Sequence, residues 1–306
     1  MAPPYFAVGS IDGSGRIYTF NAASGTGAEV FNTPNRTQTI AGMAYDPTTG
    51  VLWVAGGPQA NVLALADGGA TLLVTVDLLA AVGAGGGAAG GAPPLINDAV
   101  VVPGRAGMVA VTDSINAAIY LVPTAAACTA PGRALPPARR VPLTGDWRQV
   151  PGFNANGIDW SRAAQTLVVI QSATGLLFAV PDDGVARLVP VEGGPLTFGD
   201  GILFDAADPA VLYVLRNRLR TIAVVRFGVP AILGGGRVVQ EITDARWSTP
   251  TTLAQGAGGL YSVDARFGDG ADPTVADFFV KAAACRAHAR GCGRGYVRGG
   301  DVREEQ

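Results

Sequence analysis

Histidine is almost absent from this chain of 306 residues: there is one, His288, near the C-terminal end. Its position excludes a Ser-His-Asp triad, a His-rich zinc site and a histidine-dyad mechanism in the body of the chain. Cysteine is nearly as scarce, with Cys128, Cys285 and Cys292 too few and too scattered for a disulfide framework. Cys285, His288 and Cys292 lie close together, but no fourth ligand completes a zinc knuckle. Charge is also sparse, at 15% of residues, and the net charge of −2 leaves no basic footprint for nucleic acid. No run of about 18 apolar residues escapes Gly, Pro or charge, so no membrane-spanning helix is expected. The stretch Met1-Ala2-Pro3-Pro4-Tyr5-Phe6 lacks the basic region and long apolar core of a signal peptide. These absences argue against nucleic acid and membrane as partners.

What the chain has in abundance is glycine, 43 residues, interleaved with short runs of β-branched and aromatic residues. That profile suits many short strands joined by tight turns. The runs recur as phrases. Ala41-Gly42-Met43-Ala44-Tyr45-Asp46 leads through a Pro-Thr-Thr-Gly turn to Val51-Leu52-Trp53-Val54-Ala55. Asn156-Gly157-Ile158-Asp159-Trp160 leads to Leu167-Val168-Val169-Ile170, and Asp200-Gly201-Ile202-Leu203-Phe204 to Val211-Leu212-Tyr213-Val214. Leu95-Ile96-Asn97-Asp98-Ala99 and Thr251-Thr252-Leu253-Ala254 open two further units. The period between starts is about 45 to 60 residues, that of propeller blades built from four short strands. A half unit, Phe6–Ser10 with Arg16–Phe20, precedes them.

The expected fold is therefore all-β, a six-bladed β-propeller with an incomplete first blade, spanning residues 1–281. Its ends are expected to be joined by pairing the N-terminal strands with the Phe278-Phe279-Val280 region, which removes open sheet edges. A Gly/Ala/Pro insert at about 80–94 reads as a loop; its formal G-x-G-x-x-G lacks strand-to-helix context. Residues 282–306, rich in Arg and Gly, read as a disordered tail.

Asn97, Asn156 and Asp200 stand at one phase of the repeat. In a radially repeating fold, one phase points to one place, the central axis. Asn and Asp before Gly also stabilise tight turns, but three at a shared phase favour an axial polar site. Asp98, Asp159 and Asp205, just beyond, read as strand-edge or turn residues. Asp113-Ser114 and Gln171-Ser172 end apolar strands in neighbouring units, where turn formation competes with substrate contact. Arg216-Asn217-Arg218 suits either a solvated rim or an anionic substrate.

In order and spacing these phrases resemble the SMP-30/gluconolactonase/LRE-like family of six-bladed propeller hydrolases. Thr112-Asp113-Ser114 with Ile119-Tyr120, and Pro250-Thr251-Thr252 with Val263-Asp264-Ala265-Arg266-Phe267-Gly268, extend the likeness from about Tyr5 to Val280. The resemblance implies Ca²⁺ or another divalent cation in a central pocket, held here by Asn97, Asn156 and Asp200. It places the second-strand ends at the pocket mouth, which makes Asp113, Ser114, Gln171 and Arg218 candidate substrate contacts. It implies hydrolysis of lactones or related esters, with Asp200 as the acid/base or nucleophilic group. The family's first-blade Glu has no counterpart: counting back from Tyr5-Phe6 runs past Met1. A site with one carboxylate and two amides is expected to hold its cation weakly. Two other readings stay open, a non-catalytic binding or scaffold propeller and, with less support, a strictosidine-synthase-like enzyme.

Overall fold

The computed structural model describes residues 5–21, 24, 26–33, 38–82, 92–103, 107–124, 135–228, 232–245, 247–256, 259–265, 267 and 279–283. Most of the insert, at 83–91, and the tail beyond 283 lie outside the described residues, as do all three cysteines and His288. Within them the chain is all strand and turn, with four short 3-10 segments.

The strands form six separate sheets that follow one another along the chain. The first holds β1 (Tyr5–Gly9), β2 (Ile17–Asn21) and β3 (Thr26–Phe31). The second holds β4 (Met43–Asp46), β5 (Val51–Ala55), β6 (Asn61–Ala66) and β7 (Thr71–Asp77). The third holds β8 (Ile96–Val101), β9 (Met108–Asp113), β10 (Ala118–Pro123) and β11 (Arg139–Pro142). In the fourth, β12 (Thr144–Gly145) adds in parallel to the edge of a meander of β13 (Ala155–Ser161), β14 (Thr166–Gln171), β15 (Leu176–Val180) and β16 (Val185–Val189). The fifth repeats this plan with β17 (Val191–Glu192), β18 (Gly199–Phe204), β19 (Val211–Arg216), β20 (Thr221–Phe227) and β21 (Gly236–Thr243). The sixth holds β22 (Pro250–Gly256), β23 (Gly259–Asp264) and β24 (Phe279–Ala283).

Each sheet is covered on both faces, which explains the continuous apolar runs. Alternate residues of one strand point to opposite neighbours. In β14, Leu167 and Val169 join the third sheet's residues in one cluster, while Val168 and Ile170 join those of the fifth sheet in another. In β19, Leu212 and Val214 pack backwards while Val211, Tyr213 and Leu215 pack forwards. Trp53, fully buried, anchors the cluster between the second and third sheets. Among the described residues six such clusters occur, one between each neighbouring pair of sheets, the sixth lying between last and first. That closed arrangement is a β-propeller, as the repeat implies.

The ends are not joined as the sequence suggests. β24, which carries Phe279 and Val280, pairs with β23, and β1 pairs only with β2 among the described residues. Side chains close the ring instead: Phe6 stacks on Tyr261 with ring centroids 4.5 Å apart, beside Val8 and Phe20. Gly256 makes room for Phe6, since a Cβ there would lie 2.5 Å from its ring. Backbone pairing needs an unpaired strand edge at the right register, and β1 sits at the position of a second strand rather than an innermost one.

This seam buries far less than the others, so it is expected to open first. In native-state hydrogen exchange, amides of β2 and β23 should exchange well before those of β14 and β19. Equal protection across all four strands would contradict a weak seam.

Candidate functional site

The innermost strands of successive sheets lie side by side around the axis, and each carries an irregularity at the same place. The register of β8 slips between Ile96 and Ala99, that of β13 between Ala155 and Ile158, and that of β18 between Gly199 and Ile202. β22 slips between Pro250 and Thr252. Ahead of β4, Ala41 and Gly42 both bond Ala55, two residues opposite one. These are β-bulges, which re-aim a side chain out of its strand's alternation. The bulged residues Ala41, Asn97, Asn156, Asp200 and Thr251 all line a single cavity of about 1340 Å³.

Glycine follows the bulged residue where the next strand comes close. A Cβ on Gly157 would run into the Asp200 carbonyl oxygen, and one on Gly201 into the backbone of Thr251 and Thr252. A Cβ on Gly42 would meet Asp98 and the Asn97 carbonyl oxygen, which accepts the Gly42 N–H at 2.6 Å. The third sheet has Asp98, and the sixth Thr252, where the second, fourth and fifth have glycine. The Asp98 carboxylate accepts the N–H of Ala99 at 2.9 Å and of Ile158, on the next strand, at 3.2 Å.

Polar groups of the cavity converge on Asp200. Asn217 Nδ2 donates to Asp200 Oδ2 at 2.8 Å, and the Asn156 side chain also hydrogen-bonds this carboxylate. Burial nevertheless raises the Asp200 pKa to about 7, against those two amide bonds. Burial likewise raises Asp98 to about 7, opposed by its backbone bonds and reinforced by the charges of Asp200 and Asp159. Asn97 turns its amide nitrogen to Ser114 Oγ at 2.9 Å. The carboxamide oxygen of Asn156 is buried in the cavity wall without a hydrogen-bond partner. Such an orphan is costly unless something else meets it.

The second-strand ends do structural work. Asp113, Gln171, Arg216 and Asp264 occupy matching registers, opposite the residue that enters each innermost strand. Asp113 Oδ1 accepts the N–H of Leu95, Ile115 and Asn116, and Asp264 accepts those of Ser248 and Thr249. Gln171 Nε2 donates to the Arg148 carbonyl and Asn154 Oδ1, and Arg216 Nε to the Thr197 carbonyl. Ser114 Oγ donates to the Ala155 carbonyl at 2.8 Å. Asp113, Ser114 and Gln171 are fully buried off the cavity wall, so these candidate substrate contacts are loop anchors instead. Arg218 does line the cavity. Asp159 bonds the N–H of Phe204 at 2.6 Å, and Asp205 those of Ala207 and Asp208 at 2.8 Å, so both serve the backbone.

Among the described residues no three His, Cys, Asp or Glu side chains come together as a metal cluster. The axial set is mainly amide. A hard cation accepts amide and carboxylate oxygens alike, and the orphaned Asn156 oxygen beside the Asp200 carboxylate fits one.

Compared with known proteins, no family model matches the sequence and no curated protein matches it. Solved structures do. The allergen Mala s 1 of Malassezia sympodialis is 16% identical over 88% of this chain and 86% of its own, with a TM-score of 0.64. A putative 6-phosphogluconolactonase from Bacteroides uniformis is 13% identical over 97% and 83%, TM-score 0.55. A catalytically inactive virginiamycin B lyase from Staphylococcus aureus is 11% identical over 83% and 75%, TM-score 0.53. At these identities the likeness is one of fold, the β-propeller.

Two outcomes follow from the inner ring. Gly157→Ala pushes apart β13 and β18 and should lower the melting temperature by several degrees, a cost of about 1–3 kcal/mol; an unchanged melting temperature would contradict the close approach. Asp159 is raised from 3.8 to about 6, mainly by burial, against bonds from Phe204 and Trp160 and the charge of Arg162. Its stabilising protonation is fully present below the unfolded pKa and lost as pH rises through the folded one. The loss is on the order of 2 kcal/mol. Thermal melts of Asp159→Asn between pH 4 and 7 should therefore decline less than those of the parent.

Proposed function

We propose that this chain is a hydrolase of lactones or related esters, working at the axial cavity with Asp200 as its acid/base residue. Counting each sheet as a blade makes it six-bladed, the first and last showing three strands each among the described residues. The carrying observation is the polar corner in an otherwise largely apolar cavity, where an orphaned amide oxygen of Asn156 stands beside the one carboxylate of the axial set. The sequence resemblance to the SMP-30/gluconolactonase/LRE-like family supports the same reading.

The chain's own residues divide the work. Asn217 and Asn156 fix the orientation of the Asp200 carboxylate by donating to it. Held this way, the carboxylate takes a proton from water as it adds to the acyl carbon, and returns it to the departing alkoxide. Apolar walls, among them Ile40, Leu253 and Tyr261, limit the water that reaches the acyl group. Asn97, Asn156 and Asp200 would hold a divalent cation such as Ca²⁺ through their oxygens. When bound, it supplies positive charge that polarises the carbonyl.

Hydrolysis of a panel of lactones and aryl esters, with and without added Ca²⁺, tests this. Asp200→Asn should lower kcat by at least about 100-fold, and chelation should lower activity. Absence of hydrolysis across the panel, or undiminished hydrolysis by Asp200→Asn, overturns it. The mostly apolar wall favours a second reading, a propeller that binds a small molecule without turnover; ligand binding that survives Asp200→Asn with no hydrolysis by the parent would select it.

A further inference from the structure

Four exposed large hydrophobic residues belong to the cavity: Ile11, Phe153, Phe198 and Phe267, between 37% and 51% exposed. Topology puts all four at one end of the ring. Phe153 and Phe198 precede the innermost strands β13 and β18, and Phe267 follows β23, which runs antiparallel to the innermost β22. Ile11 follows Ser10, whose carbonyl accepts the Ile40 N–H as that of Ser172 accepts the Phe198 N–H. Their exposure and shared end make them a collar at the mouth, above the buried Asn156 and Asp98. Clustered exposed apolar side chains around an opening mark a binding surface more than chance placement does.

Phe198 carries a further sign. Its backbone is left-handed, with φ of 62°, a conformation that a bulky residue adopts only under constraint. The constraint is visible: its N–H donates to the Ser172 carbonyl at 3.1 Å, and its own carbonyl accepts the Asn217 N–H at 3.0 Å. The Arg218 guanidinium lies over its ring, 5.3 Å from the centroid. Arg218 is the cation of the cavity wall, and among the described residues no carboxylate pairs with it. The wall's mouthward acids keep their charge but turn to their own loops: Asp12 accepts from Ser10 Oγ and the Ser14 N–H, and Asp264 from Ser248 and Thr249. The turn at Asn217–Leu219 therefore sends one residue down to Asp200 and the next up to the collar.

Resting on the axial cavity as the working site, we infer that its substrate is an amphipathic anion. An apolar or aromatic body fills the collar of Ile11, Phe153, Phe198 and Phe267, and an acidic group pairs with Arg218. Arg218 at the mouth holds the acidic group, and the apolar body extends over the collar beside it. A polyhydroxylated sugar lactone matches neither the collar nor its charge.

The test is calorimetric titration at neutral pH with four small molecules: 2-naphthoate, 2-naphthol, 2-naphthylmethylamine and acetate. The first three share a ring system and differ in charge, and acetate has the charge without the body. None has a bond for the enzyme to hydrolyse, so the result is independent of turnover. Naphthoate should bind at least about tenfold more tightly than naphthol, the protonated amine most weakly, and acetate without detectable heat. Arg218→Gln should bring naphthoate to the level of naphthol. Phe198→Gly should weaken both while melting no lower than the parent, since it removes the left-handed strain. Equal affinity for the three naphthyl compounds, binding of none, or a naphthoate preference that survives Arg218→Gln overturns the inference. A chain that binds naphthoate yet hydrolyses nothing keeps the collar and loses the catalytic reading.

Discussion

Around the axis, the backbone of one innermost strand touches the backbone of the next, with almost no side chain between them. The rest of the structure depends on that approach. It admits glycine at residues 42, 157 and 201 and resists a Cβ. It also forces a bulge into each strand, because an extended ladder would turn every second side chain into the crowded centre. The bulge turns one side chain per strand into the cavity and lets the following residues resume their alternation between neighbouring sheets. Fold and site thus share one cause.

The same crowding sets the electrostatics. Carboxylates held among packed backbone lose their water, and neither amide nor backbone donors fully replace it, so Asp98, Asp159 and Asp200 all sit well above the ordinary carboxylate range. Asp159 spends its charge on the next strand's backbone. Asp98 does so too while standing in the cavity wall, which gives the site a second acid where the second, fourth and fifth sheets have glycine. Asn217 and Asn156 tie the third, Asp200, into the polar convergence of the axial residues.

Much of this was legible in the residues. The Asn97, Asn156 and Asp200 phrases start the innermost strands, and their shared phase does bring them to one cavity. Runs such as Leu167-Val168-Val169-Ile170 announced strands covered on both faces. Asp113, Ser114 and Gln171 were harder. A polar residue at a strand end looks the same whether it faces a ligand or its own loop, and only the register with Ile96 and Ala155 shows that these anchor loops. Phe153 and Phe198 gave no signal, since an aromatic residue in a loop has no period to place it, and Phe267 stood only within a longer phrase. Closure was misjudged because Phe6 and Tyr261 meet through side chains, which leave no pattern as strand pairing does.

By itself the sequence determined what is periodic: strand, turn, repeat length and the phase of the bulged residues, all fixed by local chemistry that recurs within each unit. Tertiary structure decided what is shared between units. Which carboxylate lost its solvent, which amide oxygen was left unpaired, which loops formed the collar and how the ring closed all depend on distances between distant segments. Those distances follow from packing six sheets around one axis, and no stretch of a single unit encodes them.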